Sequence, residues 1–139
     1  MVDTVIKRFG LLGRNISYSF SKGYFTDKFN NENFVGCSYE NFDIPEITGF
    51  PEVIKNTADL KGLNVTIPYK ETVIPFLDKL SKKAKIIGAV NTIRITKKGK
   101  LKGYNTDYYG FKKSLEPLLL EHHKKALILG TGGASKGVA

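Results

Sequence analysis

Apolar runs that stop at a glycine or a proline, each followed by residues at helical spacing, recur along this chain. Residues 5–13 stop at Gly13, residues 60–67 stop before Pro68, and residues 125–129 stop before Gly130. Runs of this length alternating with helical segments fold as α/β layers, because each strand face needs a helix to cover it. The expected class is α/β: a mostly parallel open sheet with flanking helices.

The remaining elements follow from the same spacing. Residues 34–41 read as a second strand, with Val35, Cys37 and Tyr39 on one face. A helix is expected from about Ser21, carrying Tyr24, Phe25 and Phe29. Another runs from Ile44 to about Asn56, with Pro45 in the first turn, where a missing N–H is tolerated. After Pro68 a short helix is expected over 69–76 and an amphipathic one over 77–87. Val90 and Thr92 open a strand, 97–100 make a turn, and 101–104 return as its partner. That hairpin sets Asn91 and Asn105 near its open ends. Asp107 is a natural N-cap for a helix from Tyr108. Pro117 should kink that helix, and His122 and His123 should close it. Adjacent histidines do not share a helix face, so no metal site is expected there.

Composition narrows the partners. A hydrophobic fraction of 41% with 12% aromatics can fill a core. No apolar run is long enough to span a bilayer. Residues 1–4 carry no leader pattern, and the single Cys37 cannot form an internal disulfide. A reducing, cytoplasmic location is the expectation. The net charge of +9 is compatible with nucleic acid, an anionic membrane, an acidic small molecule or no partner. Its lysines are scattered, with clusters at 82–85 and 97–100 and no arginine-and-aromatic stripe to track a phosphate backbone. Neither nucleic acid nor a membrane is the expected partner.

The chemistry is expected in the stretch 62–70. Val65 and Ile67 alternate with Asn64 and Thr66, Pro68 ends the strand, and Lys70 follows in the turn. Asn64, Thr66 and Lys70 thus gather at the carboxyl end of a strand, where open α/β sheets bind ligands. Lysine can carry a proton near neutral pH when partly buried; a solvated turn lysine is the plainer alternative. The loop 14–22 holds Ser17, Tyr18, Ser19 and Ser21 just before a helix. Serines there act as N-caps, and the same free N–H and hydroxyl groups suit a carboxylate.

At the far end, Gly130-Thr-Gly132-Gly133-Ala134-Ser135 follows a short apolar strand. This is the order of a dinucleotide-binding turn, with Ser135 where the third glycine would stand. The helix, the next strand and the ribose-reading residue of such a unit do not follow. The expectation is a fragment of a longer protein, cut inside a second, Rossmann-type domain.

Ser19-Phe-Ser21, Asn64-Val-Thr-Ile-Pro-Tyr-Lys70, Gly88-Ala-Val-Asn-Thr92, Asn105-Thr-Asp107 and the glycine turn stand in order along one chain. Together they resemble shikimate dehydrogenase, from about Phe9 to the end. The resemblance implies a first domain that binds shikimate and a second that binds NADP. It implies a division at 1–104 (substrate-binding core), 105–123 (inter-domain helix) and 124–139 (start of the dinucleotide domain). It implies that Ser19 and Ser21 hold the substrate carboxylate, and that Asn64, Thr66, Asn91 and Asp107 bind ring hydroxyls. It further implies that Lys70, paired with Asp107, moves the proton, and that Gly130, Gly132, Gly133, Ala134 and Ser135 meet NADP. The family usually has histidine where Tyr18 stands and proline at Asn15 and Lys22, so Tyr18 adds a hydroxyl beside the serines. The implied reaction is reversible reduction of 3-dehydroshikimate to shikimate, in aromatic amino-acid biosynthesis, with no metal. This stretch alone is expected to turn over little, and a homodimer is compatible with the family. The alternatives are a quinate/shikimate dehydrogenase using NAD, a non-catalytic module with the same pocket, or a basic nucleic-acid-binding domain.

Overall fold

The computed structural model describes residues 5–139. Residues 1–4, read above for a leader, lie outside the described residues. The strands are β1 (Lys7–Gly13), β2 (Cys37–Asp43), β3 (Leu60–Val65), β4 (Lys79–Leu80), β5 (Thr92–Ile95) and β6 (Leu101–Tyr104). They form one sheet in the order β2-β1-β3-β5-β6-β4. β1 runs parallel to β2 and β3, and β4 parallel to β6. Only β5 is reversed, pairing antiparallel with β3 and β6. The sheet is mostly parallel, as its apolar runs imply.

The helices are α1 (Ser21–Asn31), α2 (Phe50–Asn56), α3 (Lys82–Ile87), α4 (Asp107–Leu115) and α5 (Gly133–Val138). The larger core lies on one face of the sheet. Leu12, Phe50, Val73, Val90 and Ile93 are at most 1% exposed there. Burying each such side chain is worth about 1.5–3 kcal/mol, which is what holds the short α2 and α3 in place. The smaller core joins Leu11, Ile16 and Tyr39 to Phe9, Phe25 and Phe29 under α1.

Several local expectations change. β2 starts at Cys37, because Val35 stays 75% exposed and meets no ladder. The 44–56 helix begins later, as a 3₁₀ turn at Ile47–Gly49 followed by α2, so Pro51 takes the first-turn place expected for Pro45. Residues 69–76 form turns ending in a 3₁₀ helix at Ile74–Phe76. The long 77–87 helix is instead β4 plus α3, capped by the Ser81 hydroxyl, which accepts from the Ala84 N–H at 3.2 Å. Gly88 ends α3 with φ of 73°, a conformation that costs a side-chain-bearing residue more. That turn delivers Ala89, Val90 and Asn91 to β5.

α4 stops at Leu115, and a 3₁₀ turn at Glu116–Leu118 contains Pro117. His122 and His123 therefore lie outside any helix; His123 Nδ1 accepts from the Leu120 N–H at 3.1 Å. Residues 125–129 join no ladder, and Leu127 and Leu129 are 83% and 87% exposed. An extended segment counts as a strand only when a neighbour takes its backbone groups, and none of the described residues does. Among the described residues, no helix is long and apolar enough to cross a membrane.

Candidate active site

The carboxyl end of β3 is where three distant segments meet. Backbone bonds set their places first. The Val65 N–H donates to Asn91 O at 2.8 Å, the Val90 N–H to Lys70 O at 2.7 Å, and the Asn91 N–H to Tyr104 O at 3.0 Å. Asn91 just before β5, the turn at Lys70 and the residues after β6 are thus stitched side by side.

Side chains complete the arrangement. Lys70 Nζ donates to Asp107 Oδ2 at 2.7 Å, with the two side chains 16% and 29% exposed. The other carboxylate oxygen, Oδ1, accepts from Asn91 Nδ2 at 2.8 Å. Asn91 Oδ1 accepts from the Thr106 N–H at 2.9 Å and the Thr92 hydroxyl at 3.1 Å. Asn64 Nδ2 donates weakly to Thr92 Oγ1 at 3.5 Å, and Asn64 Oδ1 accepts from the Tyr39 hydroxyl at 2.8 Å. One hydrogen-bonded chain therefore runs from Tyr39 through Asn64, Thr92, Asn91 and Asp107 to Lys70. Burial pushes the Tyr39 phenol well above its ordinary pKa, so it is a neutral hydroxyl with a proton to give.

Of the two readings of Asp107, capping is the one the structure does not bear out: it does not cap α4. It is the first residue of the helix, and its carboxylate is taken by Lys70 and Asn91. The capping falls to buried Asn105, whose Oδ1 accepts from the N–H groups of Asp107 at 3.0 Å and Tyr108 at 3.5 Å. The Asn105 NH2 donates to Ala89 O at 3.1 Å. Capping by a residue two positions upstream leaves the acid to Lys70 and Asn91.

The other expected residues lie outside this network. Ser19 and Ser21 hydroxyls pair with each other at 3.2 Å, and the Ser21 N–H donates to Ser19 Oγ at 3.3 Å. Tyr18 is 77% exposed at the loop surface. Thr66 is tied in by its backbone, its N–H donating to Leu12 O at 2.9 Å. Tyr39, Thr92 and Thr106 are members of the network that spacing did not reveal. The signal available was the Asn91–Thr92 pair at a strand entry, where a short hydroxyl beside an amide can bond along the chain.

The family model for the shikimate dehydrogenase substrate-binding domain matches residues 11–93. The chain belongs to the shikimate dehydrogenase family. An NADP(+)-dependent shikimate dehydrogenase of Caldanaerobacter subterraneus subsp. tengcongensis is 40% identical over 144 residues, covering 99% of this chain and 49% of that protein. Shikimate dehydrogenase 1 of Peptoclostridium difficile superposes with a TM-score of 0.84 at 40% identity, over 95% of this chain and 49% of that one. The Thermus thermophilus enzyme, solved with NADP(H) and shikimate, gives 0.83 at 35% identity, over 96% of this chain and 51% of that one. The chain spans about half the length of the curated relatives it matches.

The glycine turn leads into α5 and leaves open space at Gly132. Gly130 has φ of 132°, a backbone that side-chain-bearing residues avoid. A Cβ at Gly132 would meet nothing within 4 Å, so the chain's own packing does not demand a glycine there. Gly133 is different: a Cβ there would lie 2.7 Å from Lys70 Cβ and 3.4 Å from Ala89 Cβ. A Cβ at Gly137 would lie 3.2 Å from Asp107 Cβ. Lys136 adds an ion pair to Glu71. α5 therefore packs directly on the Lys70–Asp107 pair.

Proposed function

We propose that this chain is the substrate-binding part of an NADP-dependent shikimate dehydrogenase, an oxidoreductase that interconverts 3-dehydroshikimate and shikimate. The observation that carries the reading is the Lys70–Asp107 contact of 2.7 Å, flanked by Asn91 at the carboxyl end of β3. Reducing a ring ketone needs a hydride at carbon and a proton at oxygen. NADP, when bound, exchanges the hydride. Lys70 gives the proton to the developing alkoxide and takes it back in reverse, with Asp107 holding the ammonium in place. Asn64, Thr66, Asn91 and Asp107 orient the ring hydroxyls, while Ser19, Ser21 and Tyr18 receive the carboxylate. Gly130, Gly132, Gly133, Ala134 and Ser135 accommodate the pyrophosphate. We assign residues 1–104 to the substrate core, 105–123 to an inter-domain segment and 124–139 to the start of the cofactor domain. Aromatic amino-acid biosynthesis, a cytoplasmic location and a homodimer agree with this reading.

Calorimetry with shikimate tests it. The chain should take up shikimate without cofactor, and Lys70→Ala should retain that affinity within a few-fold. Joined to a complete cofactor domain, the same substitution should lower turnover by about 10²–10⁴, the usual worth of a positioned acid–base group. Turnover that survives the substitution would refute the proton role. Quinate bound as tightly as shikimate would widen the substrate class.

A further inference from the structure

Hydrogen-bond direction in the site can be worked out from its fixed ends. A backbone N–H can only donate, so the oxygen of the Asn91 amide must face Thr106 N, 2.9 Å away. A carboxylate can only accept, which places the Asn91 NH2 at Asp107 Oδ1, 2.8 Å away. Both ends of this amide agree. The Thr92 hydroxyl spends its one proton on Asn91 Oδ1 at 3.1 Å, so its lone pairs need a donor. The group facing them at 3.5 Å is the Asn64 NH2. That orientation turns Asn64 Oδ1 to the Tyr39 hydroxyl at 2.8 Å, which must donate.

We propose that Tyr39 is a positioning residue: by donating to Asn64 Oδ1 it fixes the Asn64 amide with its NH2 as the group offered to the substrate. The site then matches a ligand oxygen at this point and rejects a protonated ring amine, which has no lone pair to accept with. Tyr39 suits the task. It is 5% exposed, its ring stacks on Phe25 at 4.5 Å and 15°, and it reaches Asn64 across the sheet face under α1. Phenylalanine would keep that stack and lose only the donor, leaving one end of the amide unpaired whichever way it turned. The proposal rests on the reading of the site as one for shikimate, and its test separates the two.

The test uses the 139-residue chain, with Tyr39→Phe, Asn64→Ala and the double variant titrated with shikimate by calorimetry. Tyr39→Phe should weaken binding by about five- to tenfold, and Asn64→Ala by at least as much. The double variant should bind no more weakly than Asn64→Ala alone, because the phenol acts through the amide. An equal loss from Tyr39→Phe in both backgrounds would overturn the proposal. NMR of the free chain supplies a reading without ligand. Tyr39→Phe should shift the Asn64 side-chain NH2 signals and remove their cross-peaks to Thr92, and unchanged signals would overturn the proposal too. If the unaltered chain ignores shikimate while those signals respond, the substrate reading fails and the role of Tyr39 stands.

Discussion

Asn91→Asp changes one atom at the centre of the network, and its consequence can be worked through. The oxygen that accepts from the Thr106 N–H and the Thr92 hydroxyl is retained. The NH2 that sits 2.8 Å from Asp107 Oδ1 becomes a second carboxylate oxygen. A hydrogen bond to a charged group is lost, worth about 1.5–3 kcal/mol. Two like charges with centres about 4 Å apart add a repulsion of up to about 4 kcal/mol at an effective dielectric near 20. The Lys70 ammonium, bonded to Asp107 Oδ2, offsets part of it. The net loss should be about 3–4 kcal/mol at pH 7, a large share of a domain stability of about 5–15 kcal/mol. For a chain of this length that is a fall in Tm of roughly 10–15 °C. A proton shared between the two carboxylates relieves the repulsion, so the deficit should shrink as pH falls toward about 4. Thermal melts followed by circular dichroism from about pH 4 to pH 8 measure both features, with Asn91→Ala as a control whose deficit varies little with pH. An Asn91→Asp curve parallel to the unaltered one across that range would refute the Asn91–Asp107 contact.

Two further expectations concern the scaffold. Phe50 is fully buried and meets Phe76 edge-on at 5.9 Å, so Phe50→Ala should cost about 3–5 kcal/mol, read as a lower denaturant midpoint at unchanged slope. Asp78 accepts from the Leu101 N–H at 2.8 Å and from Lys100 Nζ at 2.9 Å, and these bonds, the backbone one foremost, hold its carboxyl below the ordinary value. A lowered carboxylate stabilises above its unfolded pKa and loses that contribution as pH falls through the folded one. Asp78→Asn should therefore flatten the acid side of a stability–pH profile below about pH 4; an unaltered slope there would count against the Asp78 pairing.

The sequence was most informative where local pattern and tertiary demand coincide. β1, β3 and the 92–104 hairpin are apolar runs with clear stops, and the sheet uses them nearly as written. It was least informative where a partner decides. Leu77, Leu80, Ala84 and Ile87 fall at helical spacing, yet Lys79–Leu80 pairs with β6, and the helix starts only after Ser81. Residues 125–129 look like a strand and meet no ladder. In the site, Lys70 is legible from the turn after Pro68, whereas the pairing of Asp107 with it comes from the family resemblance. Tyr39 was visible only as one face of a strand; its bond to a residue 25 positions away depends on β1 lying between β2 and β3. Capping is the plainer of the two readings of Asp107 because an aspartate at a helix start ordinarily caps, and only the position of Asn105 shows that the task is already done.

The reversal of β5 has a wider consequence. Because the chain enters β5 and leaves β6 at the same edge, Asn91 and Asp107 share one rim while the Thr96–Lys100 bend points the other way. Four-residue arms at about 3.3 Å per residue separate bend from rim by roughly 13 Å. Loop length at that bend can drift, or accept an inserted tag, while the acid and amide keep their spacing. Evolution and engineering alike have the tip at residues 97–99 to work on, set apart from the chemistry by two four-residue strands, provided Lys100 and Leu101 keep their bonds to Asp78.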